Sequence, residues 1–546
     1  MTAPTQNPAP SGVDSPMPKP PAGPPVFVKR GAAPAGGQSW GEVHQAPPGA
    51  APPIGPPTFV DPKGYDGPPA PRRYALGALA LSLFAGLVVA EQPGGIALAM
   101  LGVGLTAAAW VLVDEERRDL SSRAMLAAAG VLAAVPAFRD SEWVTSLSLL
   151  GALTLGSIAV ASARTWRELG VGMVAWMLKL LPAPAIFFGQ GVKRASSRRW
   201  TLAGPVARGL TLGALLVLVF GALFSAADDR FAQLVHDLFD WNLDLASVVG
   251  RALIFALTLA LAGALWLVSV TRKDRPAQES TARLGRTEWL IALGSVAVVF
   301  AGFVALQLTT WFGGDEVVQL TEGLTYADNA RQGFGQLTLA AILTLGVVAG
   351  ARHAGPADDR WVRVLSGALC LMTLVVLASA LHRLGLYVDA YGQSRTRFSM
   401  TSLMLWLGAV LLLVVALGGV RRTAWLPRAV ALTSAVFAIG TVALNPDGRV
   451  AERNVQRYAE TGRIDTDYLE TLSADALPSL TGLPEPLASC VARHVQDETL
   501  GTGDRDPLPG LNVGRSRGRS ALAALPPGQA QPAGRYSCQP YDDDRR

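Results

Sequence analysis

From Arg72 to Leu444 the chain alternates between long apolar runs and short polar breaks. The runs fall at 74–90, 95–113, 124–138, 143–163, 207–226, 246–270, 288–310, 335–351, 364–383, 400–420 and 428–444. A helix rises 1.5 Å per residue, so a crossing of the hydrocarbon layer takes about 20 residues. Most of these runs reach that length and exceed what an ordinary core helix needs. The pattern therefore predicts an all-α fold, a polytopic transmembrane helix bundle of about 11 spans. The run at 124–138 is the shortest of the set and contains Gly130 and Pro136, which makes it the weakest as a full crossing.

The flanks read differently. Residues 1–71 are dense in Pro, Gly and Ala and have almost no helical or strand periodicity. Such a segment buries too little apolar surface to offset its chain entropy and is expected to be disordered. It lacks the charged start and apolar core of a signal peptide. After Leu444 the apolar signal stops. Asn445-Pro446 is a good helix start, with Asn as cap and Pro in the first turn. Gly462 ends that helix, Asp465 caps another, and a further helix is expected from Pro484 to about Thr499. The resulting division is a Pro/Gly/Ala-rich segment over 1–71, a transmembrane domain over 72–444, a small helical extracytoplasmic domain over 445–524 and a flexible tail over 525–546.

One more apolar run, Leu169 to Phe188, is ambiguous because it holds Lys179 in its middle and Pro182 and Pro184 near its end. Charge decides it. With the N-terminus inside and eleven spans, the inner short loops carry most of the Lys and Arg, as the positive-inside rule requires. A twelfth span at 169–188 would move Lys193, Arg194, Arg198 and Arg199 outside and spoil that asymmetry. The segment is therefore read as an amphipathic or re-entrant helix at the inner interface. The N-terminus is then cytoplasmic and the C-terminus extracytoplasmic.

Composition supports the class: half the residues are hydrophobic, 16% are charged and the mean hydropathy is +0.31. The 41 Arg against six Lys, with abundant Ala, Gly and Pro, fit a high-GC bacterium. Three cysteines (Cys370, Cys490 and Cys538) and five scattered histidines suggest neither a metal site nor a disulfide scaffold. There is no phosphate-binding GxxxxGK[ST] loop and no HExxH, so no cofactor is expected, no catalytic residue is assigned, and the reading leans away from an enzyme.

Several blocks are more specific. Phe220 to Asp228 reads FGALFSAAD. Gln307, Phe312-Gly-Gly314 and LTYADNARQGF over 324–334 form a second block. Arg383-Leu-Gly-Leu-Tyr387, Tyr391-Gly392 and Arg397 form a third. The tail carries Asn445-Pro-Asp447, Arg453-Asn454, Tyr468-Leu469, Leu472 to Pro478 (LSADALP), and Asn512, Arg515, Arg517 and Arg519. Together these resemble an uncharacterised domain-of-unknown-function family of polytopic bacterial membrane proteins, over roughly 74–522. The chain departs from the family pattern at Ala226, Asn329 and Ser394. The resemblance implies a membrane protein of the cytoplasmic membrane and carries no reaction with it.

Under the eleven-span topology the polar blocks share the outer face. Asp228, Arg251, Tyr326, Asp328, Arg331, Arg383, Tyr387, Tyr391 and Arg397 could line an outward vestibule for an anionic small molecule or lipid headgroup. The alternative is that the Arg and Asp side chains pair with one another and lock loop ends. Arg251 lies four to five residues inside its span, where an unpaired Arg is expensive, so it is expected to be paired or to reach a polar opening. Cys490 and Cys538 both follow the last span, in the compartment where disulfides persist, and are a candidate bridge. Three functions stay open: an envelope sensor or scaffold, a secondary transporter of an anionic solute, and a membrane enzyme acting on a lipid-linked substrate at the outer face. The lipid bilayer is the expected partner and nucleic acid is not; the oligomeric state is left open.

Overall fold

The structure is a computed structural model. It describes residues 70–91, 94–113, 119–187, 245–271, 285–312, 334–354, 359–419, 425–500 and 506–525, and residues 213, 220, 221, 224, 228 and 538 singly. All the ordered elements are helices. In the apolar region they are α1 (Arg72–Phe84), α2 (Ile96–Leu112), α3 (Leu120–Ala133), α4 (Glu142–Val160), α5 (Trp166–Leu180), α6 (Leu245–Thr271), α7 (Arg286–Phe312), α8 (Phe334–Ala354), α9 (Arg360–Tyr391), α10 (Arg395–Gly419) and α11 (Leu426–Ala443). A π-helical turn at Ala85–Val89 lengthens α1, and a 3-10 turn at Val135–Ala137 lengthens α3.

Among the described residues nine helices are long and apolar enough to cross a membrane, and α2, at 17 residues, is a shorter apolar helix. The protein is a multi-pass membrane protein. The uncertain third run is one of the nine: helix and 3-10 turn together give 18 residues, with Pro136 placed in the turn rather than inside the helix. The run at 207–226 and the polar helix expected around 231–239 lie outside the described residues, apart from single positions.

The helices pack in two groups. Tyr74, Ala78, Leu101, Leu105, Ala183, Ile186, Leu259 and Trp266 form one core from α1, α2, α6 and the stretch after α5. Leu377, Leu384, Met404, Leu407 and Leu411 form another between α9 and α10, with Ala341 and Val348 of α8 joining it. Helix α11 belongs to both groups. Its Ala431 and Ala435 pack with α3 and α4, while its Leu426 packs with α9 and α10.

Helix α5, at 15 residues, is not among the helices long and apolar enough to cross a membrane. Thr165 and Glu168 form a capping box at its start, next to the end of α4. The Ser157 hydroxyl donates to the Gly172 carbonyl at 2.7 Å, and Ala175 packs with Ala159, Leu265 and Val268. Farther along, Ala183 sits against Gly263, and Phe187 meets the Trp266 ring edge-on at 6.0 Å. That level is also where α1 begins, since the Tyr74 hydroxyl donates to the Ala262 carbonyl at 2.6 Å. The whole segment thus lies across one end of the bundle, where α1 starts and α4 and α6 finish.

The tail comprises α12 (Pro446–Thr461), α13 (Thr466–Glu470), a 3-10 turn (Ala474–Ala476), α14 (Leu477–Leu480), α15 (Leu487–Thr499), a second 3-10 turn (Leu508–Gly510) and α16 (Val513–Leu522). Its starts follow the side-chain chemistry. Asn445, Asp465 and Asn512 accept from the backbone N–H groups of Gly448, Tyr468 and Arg515. Gly462 closes α12 in a left-handed conformation. Val450, Leu469, Leu472, Leu477, Leu480, Val491 and Val495 give the tail a core of its own. Cys490 and Cys538 are joined in a disulfide with Cα atoms 5.9 Å apart, and Cys538 packs into that core.

Candidate functional site

The tail is fixed to the bundle by carboxylates taken out of water. Asp447, in the first turn of α12, is fully buried. Its carboxylate accepts five hydrogen bonds. Arg395, at the start of α10, donates two from its guanidinium at 2.9 and 2.7 Å. The Trp143 indole of α4 donates at 3.2 Å, and Ser473 donates through its N–H at 3.2 Å and its hydroxyl at 2.7 Å. Burial works to raise the Asp447 carboxyl, but the hydrogen bonds and charge of Arg395, helped by Ser473 and Trp143, hold it below the usual range. Arg395 donates its backbone N–H to the Tyr468 hydroxyl as well, at 2.7 Å. One side chain therefore gathers the start of α4, the start of α10 and two pieces of the tail.

A second knot forms at the turn between α3 and α4. Asp475 accepts from the backbone N–H groups of Asp140 and Ser141, at 2.7 and 3.2 Å. Asp140 returns the contact, accepting from the Ala474 N–H at 3.2 Å and from Arg515 at 2.8 Å. Arg515 and Arg519 share Asp506, and the Asn512 amide donates to the carbonyls of Pro136 and Arg139. Arg139 reaches the other way, to the carbonyls of Val442 and Ala443 at the end of α11. Burial dominates here: the Asp475 carboxyl is pushed up to about 6, and that of Asp140 is raised too. Neither has the bidentate arginine that Asp447 has.

The turn between α9 and α10 is the third anchor. The Asn454 amide donates to the Gln393 carbonyl at 2.8 Å and its oxygen accepts from the Gln393 N–H at 3.1 Å. Gly392 has φ +81, and a Cβ there would collide with that same Asn454 oxygen, so the turn needs glycine twice over. Arg457 donates to the carbonyls of Asp389 and Ala390, and Arg453 pairs with Asp389.

The residues proposed for an outward vestibule distribute around these anchors. Tyr387, Tyr391 and Arg397 come together: the Arg397 guanidinium lies over the Tyr387 ring at 4.3 Å and donates to the carbonyls of Tyr391 and Gly392. Phe334, Tyr387 and Tyr391 form a run of neighbouring rings. Arg383, two turns deeper on α9, donates to the Gln307 side chain at 3.5 Å, and Ser379 donates to the same oxygen at 2.9 Å. Arg251 is elsewhere, on α6, ion-paired with Glu91 at the far end of α1. The Asp228 N–H donates to the Phe224 carbonyl. Tyr326, Asp328 and Arg331 lie outside the described residues. Among the described members Arg251 is ion-paired with Glu91, while Arg397 stacks on Tyr387 and locks the backbone of the α9–α10 turn.

The anchoring carboxylates Asp140, Asp447, Asp475 and Asp506 were not among the candidate site residues. Asp447 and Asp475 do stand inside sequence blocks already singled out, NPD and LSADALP, each at or near a helix start. That position was the available signal, but a helix start alone does not disclose a partner 52 residues away.

A cavity of about 110 Å³ lies within the bundle, lined by Leu101, Gly102, Leu105, Thr106, Leu153 and Leu265 among others. Its lining is almost wholly apolar, and the Thr106 hydroxyl is already donated to the Gly102 carbonyl. No group of His, Cys, Asp and Glu able to hold a metal occurs among the described residues.

A family model described as "Domain of unknown function (DUF4153)" matches residues 126–483, about two thirds of the chain. No curated protein and no solved structure matches it. The chain belongs to that family of unknown function.

Proposed function

We propose that this member of the DUF4153 family is a bacterial cytoplasmic-membrane protein that acts as an envelope sensor or scaffold, with its N-terminus inside and its tail outside. The observation that carries this reading is the Asp447 knot: the tail is tied to the ends of α4 and α10 through a buried, fully hydrogen-bonded carboxylate. Separating the partners of a buried charge pair of this kind is costly. A load or ligand on the tail is therefore felt at the helix ends, and a rearrangement of the helices is felt by the tail. The orientation rests on the Lys/Arg asymmetry of the loops.

Transport of an anion calls for convergent polar groups near the midplane, whereas the cavity between α2, α3, α4 and α6 is apolar. The test follows from that contrast. Leu153→Cys, on the cavity wall, is challenged with a membrane-impermeant maleimide from each side of oriented vesicles. A sensor or scaffold leaves the thiol unreacted from both sides; labelling from alternate sides would establish a transport pathway instead. Spin labels on Glu460→Cys of the tail and on Trp425→Cys at the opposite end of the bundle should give one narrow distance distribution. A broad one would mean that the tail is not rigidly coupled and would remove the basis for this function.

A further inference from the structure

The described tail keeps its large apolar side chains inside, with three exceptions that sit together. Leu508 is 78% exposed, Leu511 42% and Val513 37%, and between 445 and 525 these are the exposed large apolar residues described. In water such a cluster on a small polar domain is costly and marks a contact surface.

Its location names the contact. The N–H of Ile96, the first residue of α2, donates to the Leu511 carbonyl at 2.9 Å. Gly95 has φ +77 and its backbone lies so close to Gly510 that a Cβ has no room. Asn512 is bonded to the Pro136 and Arg139 carbonyls, on either side of Phe138, which is itself 56% exposed. The loop is thus pinned between the starts and ends of transmembrane helices. The outward face of α2 continues from it as Ile96, Met100 and Val103, exposed by 39, 56 and 41%. In a multi-pass protein an outward apolar face of this kind is one that lipid can cover, and the loop joins it at Ile96 through the Leu511 carbonyl. Val513 and the exposed Arg517 stand one helical turn apart on the same face of α16. An apolar side chain with a guanidinium one turn farther out is the arrangement that settles at the boundary between acyl chains and phosphates.

We propose that the 507–513 loop is a lipid-immersed wedge, with Leu508, Leu511, Val513 and Phe138 entering the leaflet beside α2 and Arg517 meeting lipid phosphate. The tail is then held by the membrane as well as by its ion pairs. This rests on the chain's being a membrane protein, not on its orientation or on a sensor or scaffold role.

The full chain carrying Leu508→Cys, spin-labelled without reductant so that the Cys490–Cys538 bridge is kept, is reconstituted in vesicles of phosphatidylcholine and phosphatidylglycerol. Collision with oxygen, which concentrates in lipid, and with a water-soluble nickel chelate is compared with that of a label at Glu460→Cys, exposed on α12. An oxygen-to-nickel ratio several-fold above the control, repeated at Val513→Cys, is the expected result. A ratio equal to the control would place the loop in water. A label shielded from both reagents would mean that protein, such as a second copy of the chain, covers it. Either outcome overturns the wedge. Leu508 is exposed enough that replacing it removes little packing, and an intact bridge reports that the tail is folded.

Discussion

The two ends of the helix bundle use charge in different ways. At the tail end, Asp447, Asp475 and Asp140 are buried and each joins segments far apart in the chain. At the opposite end each described acid caps a helix, and each pair keeps one partner partly in water. Asp119, 31% exposed, caps α3 and pairs at 2.5 Å with the largely buried Arg428 of α11, and Asp359, 13% exposed, caps α9 and pairs with the half-exposed Arg286. Exposed pairs contribute about 0–1 kcal/mol, whereas removing one partner of a buried pair costs about 3–5 kcal/mol. The tail end is held by carboxylates taken wholly out of water, whereas the pairs at the other end each keep one partner in contact with it.

The sharpest way to break this contrast is Asp447→Ala. It leaves the Arg395 guanidinium at the bundle–tail junction without its carboxylate and strands the Trp143 and Ser473 donors. A loss of about 3–5 kcal/mol is expected, seen as a large drop in thermal midpoint in detergent and a low yield of folded protein. A variant that melts like the parent would show that the knot does not hold the tail.

The disulfide comes next. Cys490 and Cys538 are 48 residues apart, and closing such a loop is worth about 4 kcal/mol in the chain-entropy model, less any strain. Reduction or Cys490→Ser should make the tail markedly more sensitive to protease while leaving the apolar helices intact. Thiol counting on the denatured protein should find one free cysteine, Cys370; three would mean that no bridge forms.

Acidity separates two of the buried carboxylates, Asp447 and Asp475. Asp447 is held below its ordinary value, so its contribution is present above that value and is lost as pH falls through the lowered one. Asp475 is raised from 3.8 to about 6, so its contribution is complete below about 4 and is lost as pH rises through 6. The tail should be most firmly docked near pH 4 and loosen as pH rises to about 6, with Asp475 accounting for at most about 3 kcal/mol of that change. Asp475→Asn should flatten the melting temperature between about pH 4 and 6.5. An unchanged slope in that variant would assign the effect to another group, Asp140 first.

The smallest effect belongs to the other end. Asp119→Asn keeps a good helix cap and removes only the charge that pairs with Arg428. It should cost less than Asp447→Ala because Asp119 is partly exposed, and less still in high salt. A loss as large as that of Asp447→Ala would erase the distinction between the two ends.

Much of the candidate site was visible in the sequence as polar blocks, though not as a site. RLGLY…YG, NPD, LSADALP and NVGRSR stand out because they interrupt or follow apolar runs. Arg251 was expected to be paired, because an unpaired Arg within a span is expensive, and Glu91 is its partner. The grouping into one vestibule depended on topology alone. Side chains that share an end of a bundle need not share a face, and Arg251 and Arg397 sit in separate clusters.

What the sequence determined by itself is what depends on neighbours along the chain. Helix class follows from the length of each apolar run, helix starts from Asn445, Asp465 and Asn512, and the stop of α12 from Gly462. The reading of 169–188 as a segment other than a span rested on flanking charge, and the structure lays its described part, to Phe187, across one end of the bundle. Only the tertiary structure decided which carboxylates lie out of water and which donors meet them. That choice turns on packing between segments tens to hundreds of residues apart, as with Asp140 and Asp475, 335 residues apart. A carboxylate's sequence neighbours do not indicate whether water or an arginine will face it.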